Sequence, residues 1–524
     1  MKFKQIRKAV VFFIIAAIAV IFSVSWRGLA IPSGTTDRVH ESFRGKSNVL
    51  QVSPAGSYGW AVLTFDLSPY AGRRVEVGIS MDVWLDSPGA VVWQINNSSW
   101  PVIAGGFSDL AAGQWHSVRG SSTLAVQGGN VLFLSAPQFK NAVAYFADLS
   151  ITVNGEVVNI EREIVIDTSL PALHTKWPFK VGVAVPNEAL SQSNPQNRLL
   201  RHFNVVVAEN VMKPNEIMPN PWTPTGAYRW TNADRLVSYA AANNTQVRGH
   251  VLVWHEQTPE AFFRGSGTGG RATIDELYAR MENHIKIVFE KYGGRISWWD
   301  VCNEVVGDNG APRANSLFTQ IMNDAGKRGM DRYEYVLKAF QWARQYADAN
   351  GGRAVKLYLT EYGIETSGAK LNEFLRLLDY LIANNAPIDG VGIQGHIRFD
   401  SPSVRDLSRS IDSITAKQRG GNNLVVQVCE LDISLFRGNE GSKRTLTDRE
   451  LNTRLPLQTA RYRELFDMFE QKYNEGKLEM VLIWGVADGH SWLNYFPIQR
   501  TDYPLLFDRS YSPKPAYNEL IRGR

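Results

Sequence analysis

The chain has 524 residues, of which 44% are hydrophobic and 20% charged, a composition typical of folded globular proteins and a length that suggests two domains. Its net charge of +5 comes from residues 1–30, which hold five basic and no acidic residues. The remainder is neutral, which excludes a strongly basic nucleic-acid-binding protein. The only two cysteines, Cys302 and Cys429, argue against a disulfide framework. We expect both to be buried and unbridged.

The N-terminus has the pattern of a targeting segment. Four basic residues lie among the first eight, an apolar run covers 9–24, and small residues follow at 28–30. The run is slightly long for a signal peptide and short for a spanning helix, so residues 1–30 are either a signal peptide or a membrane anchor. Both alternatives predict a secreted, periplasmic or cell-surface protein.

Residues 37–155 show no long helical period. Short runs at 74–80, 90–95, 131–134 and 149–153 alternate or are β-branched, with Gly, Ser and Pro between them. This pattern predicts a small all-β sandwich of jelly-roll type. The segment 145–153 resembles the closing strand of many carbohydrate-binding modules. Five tryptophans are candidates for stacking on sugars, although strand alternation requires some of them to lie in the core: Trp60, Trp84, Trp93, Trp100 and Trp115.

After a predicted linker at 156–170, residues 171–524 alternate between apolar strand-like runs and amphipathic helical stretches. Eight such strand-helix units over about 350 residues predict a (β/α)8 TIM barrel, and an α/β fold class for the larger domain. The predicted strands cover 179–185, 203–209, 247–254, 297–304, 355–361, 391–396, 425–433 and 481–486. The clearest helical stretches cover 273–292, 331–350, 369–384 and 448–473.

Two glutamates occupy the ends of predicted barrel strands. Glu304 closes the run 297–304, and Glu430 lies late in the run 425–433. In (β/α)8 barrels the carboxyl ends of the strands carry the chemistry. A pair of carboxyl groups on either side of a glycosidic bond is what glycoside hydrolysis requires.

Seven segments in order resemble glycoside hydrolase family 10, the endo-β-1,4-xylanases. They cover 203–213, 248–259, 299–304, 392–396, 428–433, 483–492 and 504–508. The resemblance extends over residues 171–524. It implies a retaining mechanism with Glu430 as nucleophile and Glu304 as acid/base, and it places His396 beside Glu430.

The resemblance also implies a set of residues that contact the substrate. Among them, Asn303 is expected to bond the sugar 2-hydroxyl and His250 to pair with Asp300. Asp300 and Asp432 are supporting residues. The implied substrate-binding residues are Glu209, Asn210, Lys213, His250, Trp254, Gln257, Asn303, Tyr362, Gln394, His396, Trp484 and Trp492.

The sequence departs from the family pattern at several positions. The fifth strand ends in Thr360, Glu361, Tyr362 and Gly363, where the family usually has Asn-Asp-Tyr-Asn. Ala261 replaces a usual Trp, and Cys429 replaces the Thr before the nucleophile. We expect Thr360, Glu361 and Gly363 to alter the cleft wall on the leaving-group side.

These observations predict a retaining endo-1,4-β-xylanase, secreted or anchored, that acts on xylan and xylo-oligosaccharides as a monomer, without cofactor, metal or nucleic acid. The segment 255–259 lacks the second His of a zinc motif. Two alternatives remain: another retaining β-glycanase of the same barrel class, or a catalytically silent glycan-binding barrel. Glu304 and Glu430, together with Asn303 and His396, argue against silence.

Overall fold

A computed structural model describes residues 38–52, 60–65, 73–97, 100–125, 130–135, 143–158, 160–162, 166, 169–192, 194–267, 269–509 and 511–522. The chain divides into two compact units, residues 1–163 and 164–524. The predicted signal or anchor segment lies outside the described residues. Within the described ranges, no helix is both long and apolar enough to cross a membrane.

The described residues of the first unit form only strands and the turns between them, as the alternating runs predicted. Strands β1, β2, β9, β4 and β7 form one antiparallel sheet, with β10 beside β9, and β11, β3, β8, β5 and β6 form a second. The pairs β2–β9, β3–β8, β4–β7 and β5–β6 are nested, which is the arrangement of a jelly roll. The strands are β1 Arg38–Phe43, β2 Lys46–Val52, β3 Trp60–Phe65, β4 Arg74–Leu85, β5 Gly89–Asn97, β6 Trp100–Leu110, β7 Trp115–Ala125, β8 Asn130–Ser135, β9 Ala144–Val153, β10 Glu156–Val158 and β11 Ile160–Arg162.

Strands β10 and β11 lie within the stretch that we predicted to be a linker. Ile160 of β11 pairs with Phe65 of β3, so this stretch extends the second sheet. Each of the two strands has only three residues. A segment that short has no measurable period, because alternation needs about four residues to be recognised.

One tryptophan of this unit is buried on the outer face of its sheet. Along β4, residues at odd positions are buried and those at even positions are more exposed, until Trp84. Trp84 is 7% exposed because the rings of Phe43 and Tyr145 and the guanidinium of Arg44 cover it. Trp115 is half-buried, and its indole donates to the carbonyl of Arg44 at 3.1 Å. The side chains of Trp60, Trp93 and Trp100 lie outside the described residues.

The second unit contains a closed barrel of eight parallel strands. The neighbours in order are β12, β13, β14, β16, β17, β18, β22 and β23, and β23 pairs with β12 to close the ring. All eight predicted strands are confirmed, although β23 begins three residues before the predicted start. The strands are β12 Lys180–Val185, β13 Val205–Ala208, β14 Gln246–Gly249, β15 Val253–Trp254, β16 Trp298–Asn303, β17 Lys356–Glu361, β18 Gly390–Ile393, β19 His396–Arg398, β20 Gln418–Arg419, β21 Asn422–Asn423, β22 Val425–Ser434 and β23 Leu478–Ile483.

Helices surround this ring and shield its outer face. The two longest, α4 and α9, begin with capping boxes formed by Thr273 with Glu276 and by Thr447 with Glu450. The helices are α1 Pro195–Leu199, α2 Pro214–Ile217, α3 Thr231–Ala242, α4 Ile274–Tyr292, α5 Leu317–Asp324, α6 Glu334–Ala349, α7 Ala369–Ala383, α8 Val404–Thr415, α9 Asp448–Asn474 and α10 Pro515–Ile521.

Barrel strands are buried on both faces, which explains their unbroken apolar runs. In β13, Val205 and Val207 pack inside the barrel, whereas Val206 and Ala208 pack toward the helices. This alternation decides which side chains of each strand lie inside the barrel. Cys302 and Cys429 are both free and fully buried, as predicted, and burial raises the pKa of each thiol.

Candidate active site

Glu304 directly follows the fourth barrel strand, in a backbone conformation that is rare for its type. Its φ is +56°, in the left-handed region. Two neighbours hold this turn: the Glu304 amide donates to the carbonyl of Thr360 at 2.9 Å, and Arg313 Nε donates to the Glu304 carbonyl at 2.6 Å. The regular strand ends at Asn303, directly before this turn.

The carboxyl group of Glu304 has a hydrogen-bond donor at each oxygen. Trp254 Nε1 donates to Oε2 at 3.0 Å, and Gln394 Nε2 donates to Oε1 at 2.9 Å. The Gln394 side chain also donates to Asn303 Oδ1 at 3.2 Å. The backbone carbonyl of Gln394 accepts from the backbone amide of Glu430 at 2.8 Å. Gln394 therefore connects the two predicted catalytic glutamates and Asn303 in one cluster.

Glu430 lies in the seventh strand beside a positively charged imidazole. His396 donates from Nε2 to Glu430 Oε2 at 3.2 Å and from Nδ1 to Asp432 Oδ2 at 2.9 Å. Burial would lower the pKa of His396, but Asp432 and Glu430 raise it to about 10. The imidazolium can thus donate from both nitrogens at neutral pH.

The same contacts keep Glu430 ionised. Burial would raise the pKa of this carboxyl, but the hydrogen bond from His396 and the charges of His250 and His396 hold it below its usual range. Its second oxygen, Oε1, is buried and has no hydrogen-bond partner among the described residues. An ionised carboxylate with one oxygen held and the other unpaired is suited to nucleophilic attack.

A buried ion pair joins the neighbouring third and fourth barrel strands. Arg248 donates to both oxygens of Asp300, at 2.5 and 2.6 Å, and Asp300 also accepts from His250 Nδ1 at 2.8 Å. Burial would raise the pKa of Asp300, but Arg248 and His250 keep it below its usual value. The predicted pairing of His250 with Asp300 is present.

Four of the polar residues predicted to bind the substrate lie on the second and third strand loops. Lys213 Nζ donates to Asn210 Oδ1 at 2.9 Å and lies 5.0 Å from the ring centroid of Trp254. Burial lowers the pKa of Lys213, opposed by the charges of Glu430, Glu209 and Glu304. The lysine lies beside Glu304 through Trp254, whose indole bonds that glutamate. Burial raises the pKa of Glu209 to about 7. Gln257 is exposed at the end of the β15 loop.

Two tryptophans of the eighth-strand loop lie against the two histidines. Trp484 meets His250 and His396 edge-on, with centroid separations of 5.6 and 6.4 Å. Trp492 lies 4.8 Å from His396, and its Nε1 donates to Asp432 Oδ2 at 2.8 Å. These rings form an aromatic wall beside Glu430.

Of the three residues expected to alter the cleft wall, Thr360 and Glu361 do not line it, because both side chains are fully buried, whereas Gly363 is exposed. Thr360 faces the barrel interior and donates to Asp300 Oδ1 at 2.5 Å. Glu361 faces the helix layer, where it accepts from the amide of Val306 at 3.0 Å and pairs with Lys370 at 3.1 Å. The alternation of β17 directs these two side chains to opposite sides of the strand, and neither enters the cleft.

Tyr362 lies at the surface of this region and is held by charged neighbours. Its hydroxyl donates to Asp308 Oδ1 at 2.7 Å, and Lys370 Nζ lies 3.2 Å from its ring centroid. Arg313 also donates to the Tyr362 hydroxyl at 3.2 Å. Sequence reasoning missed Arg313, Lys370 and Asp308, because they lie outside every matched motif. Among the described residues, no group of three or more His, Cys, Asp or Glu side chains is arranged to hold a metal ion.

The buried Glu361 should give the protein a measurable pH dependence of stability. Burial raises the pKa of Glu361 to about 7, against the charge of Lys370. At pH values between the usual pKa of a glutamate and about 7, Glu361 keeps in the folded protein a proton that it has released in the unfolded chain. The free energy of unfolding therefore falls as pH rises through this range. Urea titrations measure the free energy of unfolding of wild type and of Glu361→Gln at each pH. We expect the value for wild type, taken relative to that of the variant, to fall by at most about 3 kcal/mol between pH 5 and 8.

The exposed Glu464→Gln is the matched control and should show no such trend. A difference between wild type and Glu361→Gln that stays constant with pH would show that Glu361 keeps one charge state throughout.

The barrel and its two glutamates define a class of enzyme. One carboxyl group lies after the fourth strand and one in the seventh, with Gln394 contacting both, which is the site of a (β/α)8 glycoside hydrolase. The chain belongs to glycosyl hydrolase family 10, whose pattern matches residues 170–522.

Similarity to individual proteins agrees with this membership. The chain is 33% identical over 425 residues to endo-1,4-beta-xylanase C of Paenibacillus barcinonensis, which covers 79% of this chain and 37% of the relative. It is 37% identical over 335 residues to a thermostable celloxylanase of Thermoclostridium stercorarium, covering 61% and 79%. The structure of GH10 from Paenibacillus barcinonensis superposes with a TM-score of 0.61 at 36% identity, covering 67% of this chain and 97% of that one.

The lengths of these matches carry further information. This chain spans little more than a third of the first relative's length. The match with that relative covers more of this chain than the family pattern does, and only two residues follow residue 522. The similarity therefore extends into the residues before 170.

Proposed function

We propose that this protein is a retaining endo-1,4-β-xylanase that hydrolyses internal bonds of xylan. The observation that carries the proposal is the arrangement around Glu430: a buried carboxylate bonded by the His396 imidazolium on one oxygen and unpaired on the other. Glu304 supplies the second carboxyl group, connected to the first through Gln394. The family membership and the relatives' names support the same activity.

In the first step, Glu430 Oε1 attacks the anomeric carbon while Glu304 gives its proton to the leaving glycosidic oxygen. The bond between the anomeric carbon and that oxygen breaks, and a glycosyl ester with Glu430 forms. Asn303 is expected to bond the 2-hydroxyl, a contact that strengthens in the transition state. The His396 imidazolium keeps Glu430 ionised until the attack.

In the second step, Glu304 acts as a base. It takes a proton from a water molecule, and the resulting nucleophile attacks the anomeric carbon and releases Glu430. Each step inverts the configuration at the anomeric carbon, so the product has the same anomeric configuration as the substrate. A reducing-sugar assay on xylan combined with the anomer of the first product tests the proposal, and an inverted product would overturn it.

The cleft is expected to prefer xylan over cellulose. We expect Glu209, Asn210, Lys213 and Gln257 to read the hydroxyl groups of xylose and to leave no room for a hydroxymethyl group. Lys213 is buried, and a buried hydrogen-bonding group can discriminate strongly, whereas shape alone gives about 1–3 kcal/mol per methylene. Reducing-sugar release should therefore be much faster on xylan than on cellulose, β-glucan or mannan.

The second candidate is a retaining β-glucanase of the same barrel class. The name of the celloxylanase relative is the specific observation in its favour. Comparable rates on xylan and cellulose would support this candidate. A chain that cleaves none of the four polymers would instead be a silent glycan-binding barrel.

We propose that the N-terminal sandwich is a carbohydrate-binding module. The similarity to endo-1,4-beta-xylanase C before residue 170 and the jelly-roll pairing support this role. Because Trp84 is buried by Phe43 and Tyr145, a binding platform would rely on other residues, among which Trp115 remains a candidate.

Removing residues 1–163 should leave an active barrel that binds insoluble xylan less well than the full chain. A solved relative that consists almost entirely of the matched barrel indicates that this part can fold alone. Pull-down with insoluble xylan and cellulose would measure the binding, and hydrolysis of soluble xylo-oligosaccharides would check that the barrel is intact. Equal pull-down of both forms would mean that the sandwich is a spacer.

We also propose that the protein is exported, either cleaved after residue 30 or anchored by that segment, and that it acts as a monomer. Fractionation with N-terminal sequencing of the isolated protein distinguishes the cleaved from the anchored form. Light scattering of the purified protein tests the monomer.

A further inference from the structure

Two neighbouring aromatic residues are exposed to an unusual degree. Tyr495 is 69% and Phe496 61% exposed, more than any other large hydrophobic side chain among the described residues. Burying such a side chain typically gains about 1.5–3 kcal/mol, so leaving two together in solvent forgoes stability. Contiguous exposed apolar surface often marks a ligand-binding groove, so the surroundings of this pair decide what it does.

Phe496 continues the aromatic wall of the active site. Its ring stacks on that of Trp492, with centroids 5.6 Å apart and planes inclined by 21°. Trp492 lies 4.8 Å from His396, which bonds Glu430. The aromatic surface therefore extends outward from the nucleophile by one further ring.

Hydrogen bonds hold the turn that carries this pair. The amides of Tyr495 and Phe496 both donate to the carbonyl of Trp492, at 2.9 and 3.1 Å. The amide of Arg500 donates to the Asn494 carbonyl at 2.9 Å, which closes the loop behind the two rings. The rings are thus presented on a fixed turn, which reduces the entropy lost on binding.

One charge of this loop is neutralised. Arg500 forms an ion pair with the buried Asp502 at 2.9 Å. Aromatic side chains suit a neutral ligand, and the C–H faces of sugar rings pack against aromatic rings as other apolar surfaces do.

We propose that Phe496 and Tyr495 form a stacking subsite for a sugar of the β-1,4-linked chain, beyond the sugar that reacts at Glu430. The inference rests on the proposed function and extends it to the length of chain that the cleft recognises. A substrate long enough to reach Phe496 gains binding energy that a shorter one does not.

The test compares wild type with Phe496→Ala, Tyr495→Ala and the double variant on xylo-oligosaccharides from xylobiose to xylohexaose. In wild type, kcat/KM should rise with the length of the oligosaccharide. On the longest oligosaccharides, kcat/KM of the double variant should be on the order of tenfold lower than that of wild type, equivalent to about 1.4 kcal/mol. The shortest cleaved substrate should be unaffected. Phe496→Tyr, which keeps the ring, should retain the wild-type length dependence.

Leu457→Ala is the matched control, because Leu457 is 46% exposed on helix α9 and is not part of the aromatic wall. It should leave every rate unchanged. Equal losses of the double variant on all lengths, or no loss on any, would overturn the subsite while leaving the xylanase proposal intact. A wild-type protein that cleaves none of the oligosaccharides would overturn the proposed function and the subsite with it.

Discussion

Glu430→Gln should reduce turnover on every glycoside by roughly four orders of magnitude or more, because the amide cannot form the glycosyl ester. The substitution keeps the shape of the side chain, so the fold should survive. Turnover numbers on xylan and on an activated aryl xyloside measure the effect.

A circular dichroism melt of Glu430→Gln serves as the folding control. Substantial remaining activity in a folded variant would exclude Glu430 as nucleophile. Formation of a covalent intermediate with a slow fluorinated glycoside in wild type, and its absence in the variant, would support the assignment independently.

Glu304→Ala should separate substrates by their leaving groups. General acid catalysis typically contributes about 10²–10⁴-fold, and a leaving group that needs no proton forgoes this contribution. We expect kcat/KM on xylan to fall by about this factor, whereas kcat/KM on a dinitrophenyl glycoside should change little. Steady-state rates on a series of aryl glycosides check this result.

Added azide provides the control for Glu304→Ala. The second step also needs Glu304 as a base, so the small anion should accelerate the variant and yield a glycosyl azide of retained anomer. Equal losses on good and poor leaving groups at every measurable step would contradict the acid/base role.

The barrel was readily predictable because its strands are buried on both faces. Such strands read as continuous apolar runs, and the helices between them are amphipathic, as in 273–292 against α4. Glu304 and Glu430 were predictable because they lie at or late in predicted strands, and the resemblance implied the other residues of the cluster. The contacts of His396 with Asp432 and of Arg248 with Asp300 join residues far apart in sequence, and neither was predicted. The resemblance pointed only to His396 beside Glu430 and to His250 with Asp300.

What could not be predicted depends on the direction of individual side chains. The unusual Thr360 and Glu361 suggested a changed cleft, yet the strand turns one into the barrel and the other toward helix α7. Arg313 lies in an irregular loop, where no periodicity indicates its contact with the Glu304 carbonyl. The alternation of β4 puts Trp84 on the more exposed face of its sheet. Phe43 and Arg44, at the end of β1, cover it there and bury it.

Because the backbone at Glu304 is left-handed, the residue that would be best for stability there differs from the residue that the reaction needs. An ordinary side chain pays of order 1–3 kcal/mol to adopt this conformation, whereas glycine adopts it freely. Selection for stability alone would therefore favour glycine at the position where the reaction needs a carboxylic acid. The protein tolerates that conflict because contacts elsewhere, including those of Arg313 and Thr360, hold the turn in place.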